Sequence, residues 1–70
     1  MKVWVNGEER SLEAVTDVAG LVAALVTVLG LDGRKVAVER NLEIVPRSTY
    51  GATPVLEGDR FEIVHFIGGG

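Results

Sequence analysis

Val3 and Val5 alternate with Lys2, Trp4 and Asn6, the two-residue period of a strand with one buried face. Asn6-Gly7 follows, and this pair suits a two-residue turn whose central positions both need positive φ. Glu8 to Leu12 is then the return strand of a β-hairpin. The period changes at Val18, where Val18, Leu21, Val22, Leu25 and Leu29 fall on one face of a helix. Thr16 or Asp17 can cap its start by accepting an orphan N–H. Gly30 followed by Leu31 reads as a glycine C-cap with an apolar contact behind it. Gly20 lies inside the segment at a cost of about 1 kcal/mol relative to alanine, so close packing is expected there. The opposite face, with Ala19, Ala23, Val26 and Thr27, carries no charge and is either an alanine-rich surface or a contact face.

Asp32-Gly33 marks a turn, and Lys35 to Glu39 alternates again with Val36 and Val38 on one side. Ile44-Val45 is a short apolar step stopped by Pro46, which cannot extend a central strand. Ser48 to Pro54 reads as a loop with room for one tight helical turn, and Glu57-Gly58-Asp59 as another turn. Phe61 to Ile67 is the last strand, apolar enough to lie in the middle of a sheet. Hairpin, helix, strand, irregular crossing and strand form the order of an α+β, ubiquitin-like β-grasp fold. Its mixed sheet carries one main helix on one face, with the first and last strands adjacent at the centre. The domain is expected over residues 1–67, followed by a flexible glycine tail at 68–70.

The same alternation assigns faces. Phe61 and Ile63 are expected to meet the helix with Val3 and Val5. Glu62, Val64 and Phe66 then point to the open face, beside Trp4 on the neighbouring strand. An exposed patch of Trp4, Val64 and Phe66 is the kind of surface that marks a partner site. A one-residue slip would reverse every assignment. Tyr50 is expected to lay its ring over the sheet edge with its hydroxyl in water.

Composition narrows the chemistry. Seventy residues make one domain. With no cysteine there is no disulfide and no thiolate for metal or substrate. The net charge of −3 argues against nucleic acid, which needs a basic face to displace counterions. The longest uncharged run, Val18 to Leu31, has 14 residues, too few to cross a bilayer. Met1-Lys2-Val3-Trp4-Val5 lacks a signal-peptide layout, so the expected location is cytoplasmic and no membrane partner is expected. No metal-ligand cluster, phosphate-binding glycine loop or nucleophile–base pair is evident, so no catalytic residue is assigned and the chain is not expected to be an enzyme. His65, the single histidine, reads as a packed or hydrogen-bonded residue, and Arg40 and Arg47 as solvated charges.

Gly68-Gly69-Gly70 follows the last strand directly. A tail without β-carbons can thread a narrow channel and present a carboxylate at its tip. Three residues reach at most about 10 Å, so the body must dock close to whatever site the tail enters.

The second half carries a resemblance. Val36-Ala37-Val38-Glu39-Arg40-Asn41, Glu43-Ile44-Val45-Pro46-Arg47-Ser48, Glu57-Gly58-Asp59-Arg60-Phe61-Glu62-Ile63-Val64 and the terminal glycines resemble the thiamine-biosynthesis sulfur carrier family. The resemblance implies that an E1-like adenylating enzyme activates the terminal carboxylate with ATP. Sulfur, commonly from a cysteine desulfurase, then leaves a thiocarboxylate, which thiazole synthase uses to build the thiazole ring. Carried over, Gly70 is the modified residue, and Gly68 and Gly69 belong to the tail that enters the partner sites. No cofactor is expected to bind the chain itself, and the free carrier is expected to be a monomer. Leu42 departs from the pattern, standing where a turn residue such as glycine is expected. Two alternatives stay open: a carrier like the small subunit of molybdopterin synthase, and a ubiquitin-like interaction module whose tail is never activated.

Overall fold

The computed structural model describes residues 1–66. The elements in chain order are β1 (Lys2–Val5), β2 (Glu8–Ser11), α1 (Val18–Leu29), a 3-10 turn (Gly33–Lys35), β3 (Val36–Arg40), β4 (Glu43–Val45), a longer 3-10 segment (Arg47–Ala52) and β5 (Arg60–His65). The strands form one sheet in the order β2-β1-β5-β3-β4. Among the described residues only the central pair, β1 and β5, runs parallel; the other pairs are antiparallel. The fold is the β-grasp that the order of patterns predicts.

Helix α1 starts where Asp17, in extended backbone, accepts the Gly20 N–H at 2.8 Å. A β-carbon on Gly20 would meet that same carboxylate oxygen at 3.4 Å, so the cap itself is the close neighbour. The helix ends at Gly30, whose φ of 69° is left-handed, and the Leu31 N–H returns to the Val26 carbonyl. Val18, Leu21, Val22 and Leu25 are buried against the sheet. Leu29 departs from expectation: it is an exposed hydrophobic. Val26, placed by periodicity on the far side, is partly buried against the core.

The core joins that helix face to Val3, Val5, Val36, Val38, Val45, Val55, Phe61 and Ile63. Removing a side chain of this size from water contributes about 1.5–3 kcal/mol, and Phe61 and Leu21 are among the largest fully buried ones. Tyr50 packs at the core margin. The opposite sheet face has no covering element among the described residues. β5 is therefore central in the sheet yet covered on one face only, and its burial alternates from Arg60 to Val64.

Candidate functional site

The end of β5 leads toward the glycine tail, and the sheet fixes it from both flanks. On the β3 side the ladder continues past the strand, with the Phe66 N–H donating to the Lys35 carbonyl at 2.9 Å. On the β1 side the Asn6 carboxamide does the work: its Oδ1 accepts the Ile63 N–H at 2.7 Å, and its Nδ2 donates to the Ile63 carbonyl at 3.1 Å. Below the strand end, the Asp32 N–H donates to His65 Nε2 at 3.4 Å, so His65 acts as an acceptor for the loop after α1. Gly68, Gly69 and Gly70 lie outside the described residues.

Val64 and Phe66 stand on the open face at this end, 55% and 43% exposed. Ala37 is directly opposite Val64 on β3 and is also exposed. Ile44, on the same face of β4, is 76% exposed and pairs with Glu39, which in turn pairs with Glu62. An apolar patch bordered by carboxylates results.

Trp4 shares the face but not the neighbourhood. Its register partner on β5 is Arg60, whose guanidinium carbon lies 5.0 Å from the ring centroid. Val64 is four positions further along β5, about 13 Å at about 3.3 Å per residue. Alternation gives a residue's face but not its register, so the sequence placed Trp4 beside Val64 and Phe66, whereas the structure separates two groups: Val64, Phe66 and Ala37 near the tail, Trp4 and Arg60 at the far end.

At that far end lies a network that the sequence did not single out. Asp59 is buried. Its carboxylate accepts from Leu56 N–H at 2.9 Å, Arg40 Nε at 2.8 Å and Asn41 Nδ2 at 3.1 Å. Burial alone would raise its pKa; the Leu56 N–H, the Asn41 amide and Arg40 together outweigh that and hold it below the usual carboxylate value. Asn41 Oδ1 also accepts the Arg60 N–H at 3.0 Å, which pins the start of β5. Arg40 is therefore no solvated charge. The available signal was an Asp directly before the last strand and an Arg-Asn pair at the end of another. Arg47, exposed, donates to the carbonyls of Arg34 and Val36, tying the second 3-10 segment to β3.

No group of three or more His, Cys, Asp or Glu that could hold a metal occurs among the described residues, and no helix among them is long and apolar enough to cross a membrane. What the described residues present is a shaped, one-sided surface at the base of a glycine tail.

Comparison with known proteins finds relatives over the length of this chain. The ThiS family model aligns with residues 3–70. The chain is 57% identical over 70 residues to a thiazole synthase of Paramagnetospirillum magneticum, covering all of this chain but 20% of that protein. It thus spans about a fifth of the length of that relative, and likewise of the thiazole synthase of Magnetococcus marinus, at 50% identity. It is 39% identical over 66 residues to the sulfur carrier protein ThiS of Bacillus subtilis, covering 94% of this chain and 96% of that one. The crystal structure of the thiamine biosynthesis protein ThiS from Geobacter metallireducens superposes with a TM-score of 0.81 at 33% identity, over the whole of both chains. The chain belongs to the ThiS family.

Proposed function

We propose that this protein is a sulfur carrier for formation of the thiazole moiety of thiamine, with the Gly70 carboxylate as the group that carries sulfur. The observation that carries the reading is the family match, which runs through the glycines to residue 70. A carboxylate is a poor electrophile. In the proposed reaction a Gly70 oxygen attacks the α-phosphorus of ATP in an E1-like partner, and pyrophosphate leaves. A persulfide sulfur, supplied by a donor such as a cysteine desulfurase, then attacks the acyl carbon and AMP leaves; a thiol cleaves the S–S bond of the acyl disulfide so formed, becoming a disulfide with the departing donor sulfur and releasing the thiocarboxylate. The resulting thiocarboxylate gives its sulfur to thiazole synthase. The carrier supplies no catalytic group to these steps. Its part is to dock and to deliver Gly68, Gly69 and Gly70, and the exposed Val64 and Phe66 are the docking surface closest in sequence to that tail.

Alkylation tests the reading. The chain has no cysteine, so after incubation with ATP, an activating enzyme and a sulfur source, a thiocarboxylate is the expected site of iodoacetamide addition at neutral pH. One adduct mapped to Gly70, and lost when Gly70 is deleted, is the expected result. Absence of an adduct with a competent activating enzyme would instead favour the interaction module whose tail is never activated.

A further inference from the structure

We propose that Asn6 is a positioning residue for the tail chemistry: its carboxamide holds the end of β5 in the sheet and so sets the direction in which the chain leaves it. The functional half of this inference rests on the carrier reading above. The main-chain ladder between β1 and β5 stops at Asn6, because Asn6 enters the turn with φ at 51°. Its own N–H still donates to the Phe61 carbonyl at 2.8 Å. In an uninterrupted parallel ladder the next bond would run from the Ile63 N–H to the carbonyl of residue 6. The side-chain Oδ1 takes that place at 2.7 Å. Nδ2 then donates to the Ile63 carbonyl at 3.1 Å, where an N–H of the following strand segment would otherwise lie. The carboxamide thus continues the sheet for one more step after the backbone has turned away.

Beyond that step, no backbone hydrogen bond reaches His65 on the β1 flank among the described residues. The β3 flank continues to Phe66. Asn6 is therefore the last tie on one of the two flanks of β5. Positive φ alone would be met by asparagine or glycine. A carboxamide carries its donor and its acceptor on separate atoms side by side, which matches the N–H and C=O of Ile63 and accounts for asparagine over glycine or aspartate here. Misplacement of a reacting group by about 1 Å can cost about 100-fold in rate, which gives a fixed exit direction its value.

Asn6→Gly keeps the turn and deletes both side-chain bonds; Asn6→Asp keeps the acceptor and deletes the donor. The readouts are amide hydrogen exchange at Ile63 and Phe66 in the full chain, and kcat/KM for thiocarboxylate formation with the activating enzyme, ATP and a sulfur source. In Asn6→Gly, Ile63 is expected to exchange at least about 10-fold faster while Phe66 keeps its protection. kcat/KM is expected to fall about 10-fold, and at least as far in Asn6→Asp, whose second carboxylate oxygen faces the Ile63 carbonyl. Gly7→Ala serves as the control, since it weakens the same turn without touching the carboxamide. If Gly7→Ala lowers kcat/KM as far as Asn6→Gly does at equal stability, the role is only structural and the inference is overturned. Unchanged Ile63 exchange in Asn6→Gly overturns the clamp itself, and needs no partner enzyme to be seen. A parent protein that forms no thiocarboxylate overturns the carrier reading and the positioning role with it; the exchange data separate that failure from failure of the clamp.

Discussion

Two hairpin turns grip β5 from opposite flanks, and they are built alike. Asn6-Gly7 joins β1 to β2 with φ of 51° and 82°, and Asn41-Leu42 joins β3 to β4 with φ of 50° and 72°. In both, the asparagine N–H donates to a carbonyl of β5, Phe61 for Asn6 and Arg60 for Asn41. In both, Oδ1 accepts a β5 N–H, from Ile63 and from Arg60 respectively. They differ in what the amide nitrogen meets. Asn41 Nδ2 donates to the Asp59 carboxylate, itself bonded to Arg40, while Asn6 Nδ2 donates to a neutral carbonyl. The entrance of β5 is thus fixed by a charged, partly buried network, and its exit, on the β1 flank, by one neutral carboxamide. Charge-assisted hydrogen bonds are roughly twice as strong as neutral ones. The comparison teaches that stability is concentrated at the entrance and directional control at the exit. Leu42, at positive φ, sits next to the asparagine of the entrance turn.

Removing Asp59 gives the largest expected effect on this division. Asp59→Ala leaves the Leu56 N–H, the Asn41 amide and the Arg40 guanidinium without their shared acceptor, and is expected to cost about 3 kcal/mol in denaturant unfolding. A loss no greater than that of Asn6→Gly would break the comparison. The carboxyl sits below its ordinary value when folded, so its contribution is full above the unfolded pKa of about 3.9 and drains as pH falls through the folded value. Stability measured between pH 5 and pH 2 is expected to fall in the parent and to fall less steeply in Asp59→Asn. Asp32, half-buried and held at about 2 by hydrogen bonds from the Arg34 side chain and backbone, titrates in both proteins and leaves a residual slope.

Gly7→Ala acts at the exit turn and is expected to cost about 1–2 kcal/mol, the penalty of a β-carbon in left-handed backbone. A β-carbon there meets nothing within 4 Å, so the cost is conformational, without a clash. Equilibrium unfolding should show a lower midpoint with an unchanged denaturant slope. A neutral result would mean that the turn relaxes to another geometry, and the likeness between the two turns would be lost.

The fold was legible because its signals are local. Strand alternation, the Asn6-Gly7 pair, the helical stripe from Val18 to Leu25 and the Gly30 cap each act within a few residues of themselves. What was not legible depends on pairing across long separations. Asn6 reads as a turn residue, but its second role is with Ile63, 57 positions away. Arg40 and Asp59 lie 19 apart, and nothing local says that a surface-looking arginine will meet a buried carboxylate. Alternation puts Trp4 on the open face but leaves its neighbours undetermined, since the β1–β5 offset is set by Trp4 pairing with Arg60. Leu29 fits the helical stripe, yet it is the last residue of α1 and is 39% exposed.

The smallest expected effect is also the sharpest test of the entrance turn. Leu42 is 90% exposed at φ 72°. A left-handed conformation costs an L-residue about 1–2 kcal/mol, and a glycine in its place adds about 0.5–1 kcal/mol of unfolded-state freedom to be lost on folding. The side chain is too exposed for its loss to remove much burial. Leu42→Gly is therefore expected to stabilise the fold by about 0.5–1 kcal/mol, read as a raised denaturation midpoint at constant slope. The gain should persist in an Asp59→Asn background if turn strain and the charged network are independent. If it grows there, the network was already holding the turn in its strained form, which couples the two features of the entrance. Destabilisation by Leu42→Gly would show that the leucine makes a contribution outweighing its strain, and Leu42 could no longer be counted as a cost that the Asp59 network bears.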